Sequence, residues 1–395
     1  MSLLDDALLD AQVLRTLGTA AAGGAEPGEC LAALRVLRGT DLGAWYTAWS
    51  RAGERTLRLA ASAGDRTAAR RAHLRAANYF RTAGVMSLAS ATLPRAVEAD
   101  ARARASFSRA FELLDVPAQR LRIPFEGGTL PGWFFRAGAG RPTVLLTGGY
   151  DGPCEELYLL TGAAALERGY NVLAFDGPGQ GAALFEHGLR MRPDWETVVG
   201  AVLDHAIDHL AIDPERIALI GLSLGAHLGP RAASAEPRLA ALIADCGSFD
   251  LYEAFLSRLP APLATGLRAD RRWARTAAAT LGSRLAAKPT AGWALRRGML
   301  VHGVSTPLEY LDALRDYTLR GRAELIACPT WICNASNDDI GASAPELVAR
   351  LRCPHTFVTF TAADGAGDHC EAGARSAYHA ASFGWLDGAL ATPTA

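Results

Sequence analysis

The feature of this sequence that most limits its fold is a series of short apolar runs, at residues 143–147, 171–175, 216–220, 239–244, 329–333 and 355–360, separated by stretches of helical spacing. Most of these runs are apolar at consecutive rather than alternate positions, so their strands have two faces to bury. Strands of that kind, joined through helices, predict a mostly parallel sheet covered on both sides. Just ahead of them, 121–125 and 130–135 flank the turn signal Glu126-Gly127-Gly128, which predicts a β-hairpin. The expectation is an α/β, doubly wound domain over residues 119–395.

The texture changes near Val116, and nothing before it reads as a strand. Asp41 suits a helix N-cap ahead of Leu42, Trp45, Trp49, Ala52 and Thr56 at helical spacing. Asp65 suits a second cap, for a helix carrying Tyr79 and Phe80, and Val97, Ala101, Phe107, Phe111 and Leu114 repeat the pattern. Residues 1–118 are therefore expected to form an all-helical N-terminal domain. The interval from Asp245 to Pro329 also looks helical, with Trp273, Trp293 and Tyr310 among alanine and arginine. A helical insertion at 250–325, between two late strands, is where a lid would sit.

Composition narrows the function classes. With 40 basic and 41 acidic residues the formal charge is −1, so no overall field draws the chain to nucleic acid or to an anionic membrane. Lys288 is the only lysine, a bias of base composition that says nothing about function. The start carries Asp5 and Asp6 where a secretory signal would be basic, and no apolar run reaches about 18 residues, so a cytoplasmic protein is expected. The cysteines, Cys30, Cys154, Cys246, Cys328, Cys333, Cys353 and Cys370, are odd in number and contain no CxxC pair. Neither a disulfide framework nor a structural zinc site is indicated. His205 and His209 have a metal-binding spacing, but with no glutamate between them and no third ligand nearby they read as an exposed helix face. No metal and no cofactor are expected.

The chemistry-bearing signal is Gly221-Leu222-Ser223-Leu224-Gly225, directly after an apolar run and before the helix-compatible stretch 226–233. G-x-S-x-G at a strand-to-helix turn lifts a serine hydroxyl above the sheet edge, the glycines permitting the tight turn. A serine hydroxyl needs a base, and the base an orienting acid. The loop after 329–333 supplies Asp338, which has the better spacing, with Asp339 as the alternative, and the loop after 355–360 supplies His369. The order Ser223, Asp338, His369 is that of α/β-hydrolases. An oxyanion hole would use the amide of Leu224 and one from Gly148-Gly149-Tyr150, with Tyr150 preferred. Asp176-Gly177-Pro178-Gly179-Gln180-Gly181 lacks the residues of a phosphate loop and reads as a turn beside the site.

Residues 148–156 (GGYDGPCEE), 175–181 (FDGPGQG), 221–225 and His369-Cys370 with Gly373 resemble the α/β-hydrolases that carry a helical N-terminal domain. That group includes fermentation-respiration-switch type esterases, 2,6-dihydroxypseudooxynicotine hydrolases and fungal hydrolases that shorten polyketide naphthopyrones. The resemblance extends over nearly the whole chain. It implies that the N-terminal helices cover the active site and help form a homodimer, and that ester or carbon-carbon bonds are cleaved. It also places a glutamate in the active site, which Glu155 matches; the other reading of Glu155 and Glu156 is a charged first turn of a helix. Asp151 and Tyr150 stand where relatives carry smaller polar residues.

Three functions compete. The first is a serine hydrolase of an ester, lactone or β-diketone with a large apolar body; Trp45, Trp49, Tyr79 and Phe80 either line its cavity or pack the helical core. The second is a lyase or cyclase on the same scaffold, with His369 as base acting on a polyketide intermediate. The third is a binding protein that has lost catalysis, against which all three triad positions are filled. The expected partner is a small-molecule substrate.

Overall fold

A computed structural model describes residues 3–89, 91–114 and 117–391. Val116, where the texture changes, lies outside the described residues. Among the described residues five α-helices come first: α1 (Ala7–Leu17), α2 (Pro27–Leu34), α3 (Leu42–Ala61), α4 (Arg66–Gly84) and α5 (Leu93–Glu112). The Asp41 side chain accepts the amides of Gly43 and Ala44, and that of Asp65 the amide of Ala68, satisfying donors that a helix start leaves unpaired.

The sheet has eight strands: β1 (Ala118–Phe125), β2 (Gly128–Phe135), β3 (Thr143–Thr147), β4 (Asn171–Phe175), β5 (Ile217–Leu222), β6 (Ala241–Asp245), β7 (Thr330–Ala335) and β8 (His355–Phe360). Their spatial order is β1-β2-β4-β3-β5-β6-β7-β8. β1 and β2 form the expected hairpin, turned at Glu126 and Gly127, both with positive φ. β2 meets β4 antiparallel and every later pairing is parallel. β3, β4, β5 and β6 are buried at every position, which their unbroken apolar runs require.

Each sheet face has its own cover. Trp195, Val198, Val202 and Leu203 of the helix Trp195–His209 pack one side. On the other, Phe107 and Phe111 of α5 meet Trp133 and Phe135 of β2 and Tyr158, with ring centroids 4.4–6.1 Å apart. The helical N-terminal region is thus docked on the sheet through aromatic contact. Between β6 and β7 the chain makes the helices Leu251–Leu256, Ala261–Arg268, Arg272–Ala286, Trp293–His302 and Pro307–Ala313. Trp293 joins the core of the N-terminal helices, its indole N–H donating to the Val85 carbonyl at 2.8 Å. No helix of the described residues is long and apolar enough to cross a membrane.

Because β4 lies to one side of β3 and β5 to the other, a crevice opens at the carboxyl ends of β3 and β5. The loops after those strands hold Gly148, Gly149, Tyr150 and Ser223.

Candidate active site

Only glycine fits on either side of the turn after β5. A Cβ on Gly221 would lie 2.0 Å from the Gly225 carbonyl oxygen, and one on Gly225 2.4 Å from that of Thr147. Between them Ser223 adopts φ +60°, a left-handed conformation that a non-glycine residue holds only where its surroundings fix it. Here its amide donates to the Asp245 carbonyl at the end of β6, at 3.1 Å.

Ser223 Oγ lies 2.8 Å from His369 Nε2, and His369 Nδ1 lies 2.8 Å from Asp338 Oδ2. That pairing makes Nδ1 the protonated nitrogen, donating to the carboxylate and leaving Nε2 to accept from the serine. Asp338 is buried, and its other oxygen accepts the Ile340 amide at 2.9 Å. Burial works against its charge, but His369 holds its carboxyl below the ordinary range. Asp339 is exposed. Burial also opposes a charge on His369, yet the Cys370 sulfur and the Asp338 carboxylate raise its basicity well above the usual value.

The loop that carries His369 is held from beneath. Cys370 and Glu371 both have positive φ, and the Cys370 amide donates to the Cys246 sulfur at 3.0 Å. Arg375, buried at the start of the last helix, donates to the Cys370 carbonyl (2.8 Å), Asp245 (2.6 Å), Thr161 (2.9 Å) and the Leu160 carbonyl (3.2 Å). Burial pushes the Glu371 carboxyl, itself beside Asp245, up to about 10.

Across from the serine, Gly149 packs so closely that a Cβ would lie 2.9 Å from Ser223 Oγ and 3.0 Å from the Leu224 amide nitrogen. The amides of Leu224 and Tyr150 flank this contact and make no hydrogen bond to an acceptor among the described residues. The 176–181 turn supports the loop: Gln180 Nε2 donates to the carbonyls of Gly148 (2.7 Å) and Gly149 (3.1 Å), while Asp176 accepts the amides of Cys154 and Ala182. The Tyr150 hydroxyl lies 3.1 Å from His302 Nε2 and 3.2 Å from the Tyr310 hydroxyl, both from the insertion.

Two cavities meet at this loop. One, of about 120 Å³, contains Ser223 and Leu224 and is roofed by the insertion, with Phe255, Arg258 and Leu295 among its lining. The other, of about 70 Å³, lies under α4 and α5 and is lined by residues that include Arg81, Ala96, Asp100 and Asp151. Tyr150 and Arg297 line both.

Three of the expected substrate contacts lie elsewhere. Trp45 and Tyr79 line neither cavity: they pack in the core of the N-terminal helices, the Trp45 indole donating to the Thr82 carbonyl and the Tyr79 hydroxyl to Glu29. Two residues along a helix turn a side chain by about 200°, so Arg81, not Tyr79, faces the hydrolase domain. Glu155 is buried against the sheet, accepting from the Trp133 indole at 3.3 Å and contacting Cys154. Of the acids in the loop after β3, the one that reaches a cavity is Asp151. Burial works against its charge, but Arg15, Arg297 and Arg81 hold its carboxyl at about 2. Glu156 is bonded by Arg15 and lies 3.4 Å from Arg81.

Three groups of side chains could each offer three ligand atoms to a metal: Cys246 with His369 and Cys370, Cys154 with Glu155 and Asp176, and Asp245 with Cys333 and Glu371. His205 and His209 are in ring contact and belong to none of them.

A crevice at the carboxyl edge of this sheet, with a serine raised on a glycine-flanked elbow after β5, defines an α/β-hydrolase. Residues 143–377 match the alpha/beta hydrolase family and residues 32–251 the family described as esterase FrsA-like, so the chain belongs to the FrsA-like esterases of the α/β-hydrolase family and is an enzyme. It is 35% identical to the 20-hydroxy-prefusarin hydrolase FUS2 of Gibberella moniliformis over 96% of each chain. It is 34% identical to the hydrolase LUC6 of a Fusarium species over 95% of each. Among solved structures it is similar in fold to the 2,6-dihydroxy-pseudo-oxynicotine hydrolase, with a TM-score of 0.75 and 24% identity over 96% of this chain and 98% of that one.

Proposed function

We propose that the chain is a serine hydrolase in which Ser223, His369 and Asp338 act in series on an ester, lactone or β-diketone of a bulky, largely apolar small molecule. The observation that carries this reading is the continuous pair of 2.8 Å contacts from Asp338 through His369 to Ser223. His369 Nε2 takes the proton of Ser223 as Oγ adds to the substrate carbonyl, and Asp338 stabilises the resulting imidazolium. The amides of Leu224 and Tyr150 receive the developing oxyanion. The imidazolium then returns its proton to the leaving oxygen, or to the carbanion carbon of a cleaved β-diketone. A water activated by His369 releases the acyl group, closing the cycle. Support for a small-molecule substrate comes from the two cavities, which share Tyr150 and Arg297 in their walls, and from relatives such as the 20-hydroxy-prefusarin hydrolase.

The test is intact-protein mass spectrometry after exposure to a fluorophosphonate, with aryl-ester turnover in parallel. The expected result is a single adduct on wild type that Ser223→Ala lacks, and turnover lost in both Ser223→Ala and His369→Ala. Absence of an adduct on wild type overturns the reading. Product mass separates hydrolysis from elimination, since hydrolysis adds a water.

A further inference from the structure

The ionic cluster between the two cavities is unevenly satisfied. Arg15 grips both oxygens of Glu156 and donates to Asp151 at 3.1 Å. Arg81 donates to Thr16, Asn78 and Thr82 and lies beside Glu156. Arg297 has far less. Its nearest carboxylate oxygen, on Asp151, is 3.6 Å away, and its buried Nε–H, like that of Arg81, has no hydrogen-bond partner among the described residues. Three guanidinium groups, Arg15, Arg81 and Arg297, thus share two carboxylates, Asp151 and Glu156. The acids nearby do not redress this: Asp100 is bonded by Arg104 at 2.8 Å, Glu155 faces Trp133, and Asp176, beside Glu155, is pushed strongly toward its neutral form by burial.

A guanidinium that is only 16% exposed, with one carboxylate oxygen 3.6 Å away as its nearest anion, is costly to bury. This one is also held in place, stacked 4.4 Å from the centroid of Trp293 and 4.7 Å from that of Tyr150. It lines the cavity that contains Ser223, where no carboxylate contributes to the lining and Arg258 adds a second cation. A planar, immobilised donor fork matches a delocalised anion with two oxygens.

We propose that Arg297 is a specificity-determining residue that receives an anionic oxygen pair of the substrate, a carboxylate or the enolate of an acidic β-dicarbonyl. The inference rests on the hydrolase reading only for what then happens at Ser223. The anion is held at the junction of the two cavities, leaving the apolar body to fill the space beneath α4 and α5 while a carbonyl meets the serine. Selection follows from the same imbalance: a neutral substrate leaves the guanidinium with only the Asp151 carboxylate it shares with Arg15, and an anionic one completes it.

Calorimetric titration with 4-phenylbutyrate and with its uncharged amide decides the matter, and cyclohexane-1,3-dione, which is ionised at neutral pH, against its non-acidic 2,2-dimethyl analogue tests the enolate form. Wild type is expected to bind each anion at least about ten-fold more tightly than its neutral partner. Arg297→Met should abolish that preference, and Arg297→Lys, which keeps the charge, should retain part of it. Preference for the carboxylate alone assigns a carboxylate substrate, and preference for the dione alone an enolate. Equal binding of both pairs by wild type overturns the proposal without any variant, as does an undiminished preference in Arg297→Met. Fluorophosphonate labelling of wild type reports the nucleophile separately, so failure of the anion site and failure of the hydrolase reading are distinguishable.

Discussion

The sulfur of Cys370 lies 3.7 Å from Nε2 of His369, the nitrogen that also meets Ser223. The thiol of Cys246, 3.4 Å away, together with the neighbouring imidazole, holds Cys370 at about 7 against the opposing effect of burial. A negative sulfur there favours the cationic form of His369. A general base must be neutral, so raising its basicity means that activity disappears as pH falls through a value above the ordinary histidine range of about 6.5. The acid limb of kcat/KM for a neutral aryl ester should therefore lie above that range, and Cys370→Ala should move it to lower pH. A limb that stays in place would remove Cys370 from the site's electrostatics.

Asp338 and Asp339 are adjacent in sequence but not in environment. Asp338 is buried and bonded to His369, whereas Asp339 is exposed. Asp338→Asn should lower kcat by up to about 10⁴-fold through loss of the correct imidazole tautomer. Asp339→Asn, a surface change, should stay within about two- to three-fold. Steady-state kinetics of the two variants with one ester reads the difference directly, and the reverse pattern would reassign the acid.

Gly149 is a close-approach position. A methyl group there would press on Ser223 Oγ and on the Leu224 amide. Gly149→Ala should cost about 10²-fold or more in kcat, the scale of losing an oxyanion donor, with little change in the unfolding midpoint. A variant with normal turnover would show that the loop after β3 yields freely.

Arg375 and Asp245 are both almost fully buried and meet at 2.6 Å. Removing one partner leaves the other charged in a medium that cannot solvate it, so Arg375→Met should destabilise the protein by about 3–5 kcal/mol. Urea unfolding measures this. A second readout is the acid limb described above, because the same side chain fixes the Cys370 carbonyl and hence the histidine loop.

The parts of this molecule that repeat a local rule are legible in the sequence. Consecutive apolar residues at 143–147 and 171–175 announce doubly buried strands, Asp41 and Asp65 announce helix starts, and the glycines at 221 and 225 announce an elbow. Ser223, Asp338 and His369, spread over nearly 150 positions, are found because each follows a strand at the same sheet edge. What the sequence conceals depends on direction. Nothing local distinguishes Arg297 from the other arginines, or tells that Arg15 and Arg81 converge on Glu156 from separate helices. Tyr79 and Trp45 looked suited to a cavity because aromatic residues fill helix cores and line pockets alike. Glu155 and Asp151 are both acids after β3, and only the course of the intervening loop decides which reaches open space. Gln180 alone among the missed supports carried a signal, its place in the 176–181 turn.

The indole of Trp293 is planted in the core of the N-terminal helices while the next turns of its own helix carry Arg297 to the cavity that contains Ser223 and His302 to the Tyr150 hydroxyl. Roof and foundation are therefore one piece. A fragment beginning at β1 would not be a minimal enzyme but a sheet without its cover, its insertion deprived of the anchor that sets where Arg297 stands. For anyone moving specificity between members of this family, the exchangeable unit is the insertion together with α3 and α4, transplanted as a pair.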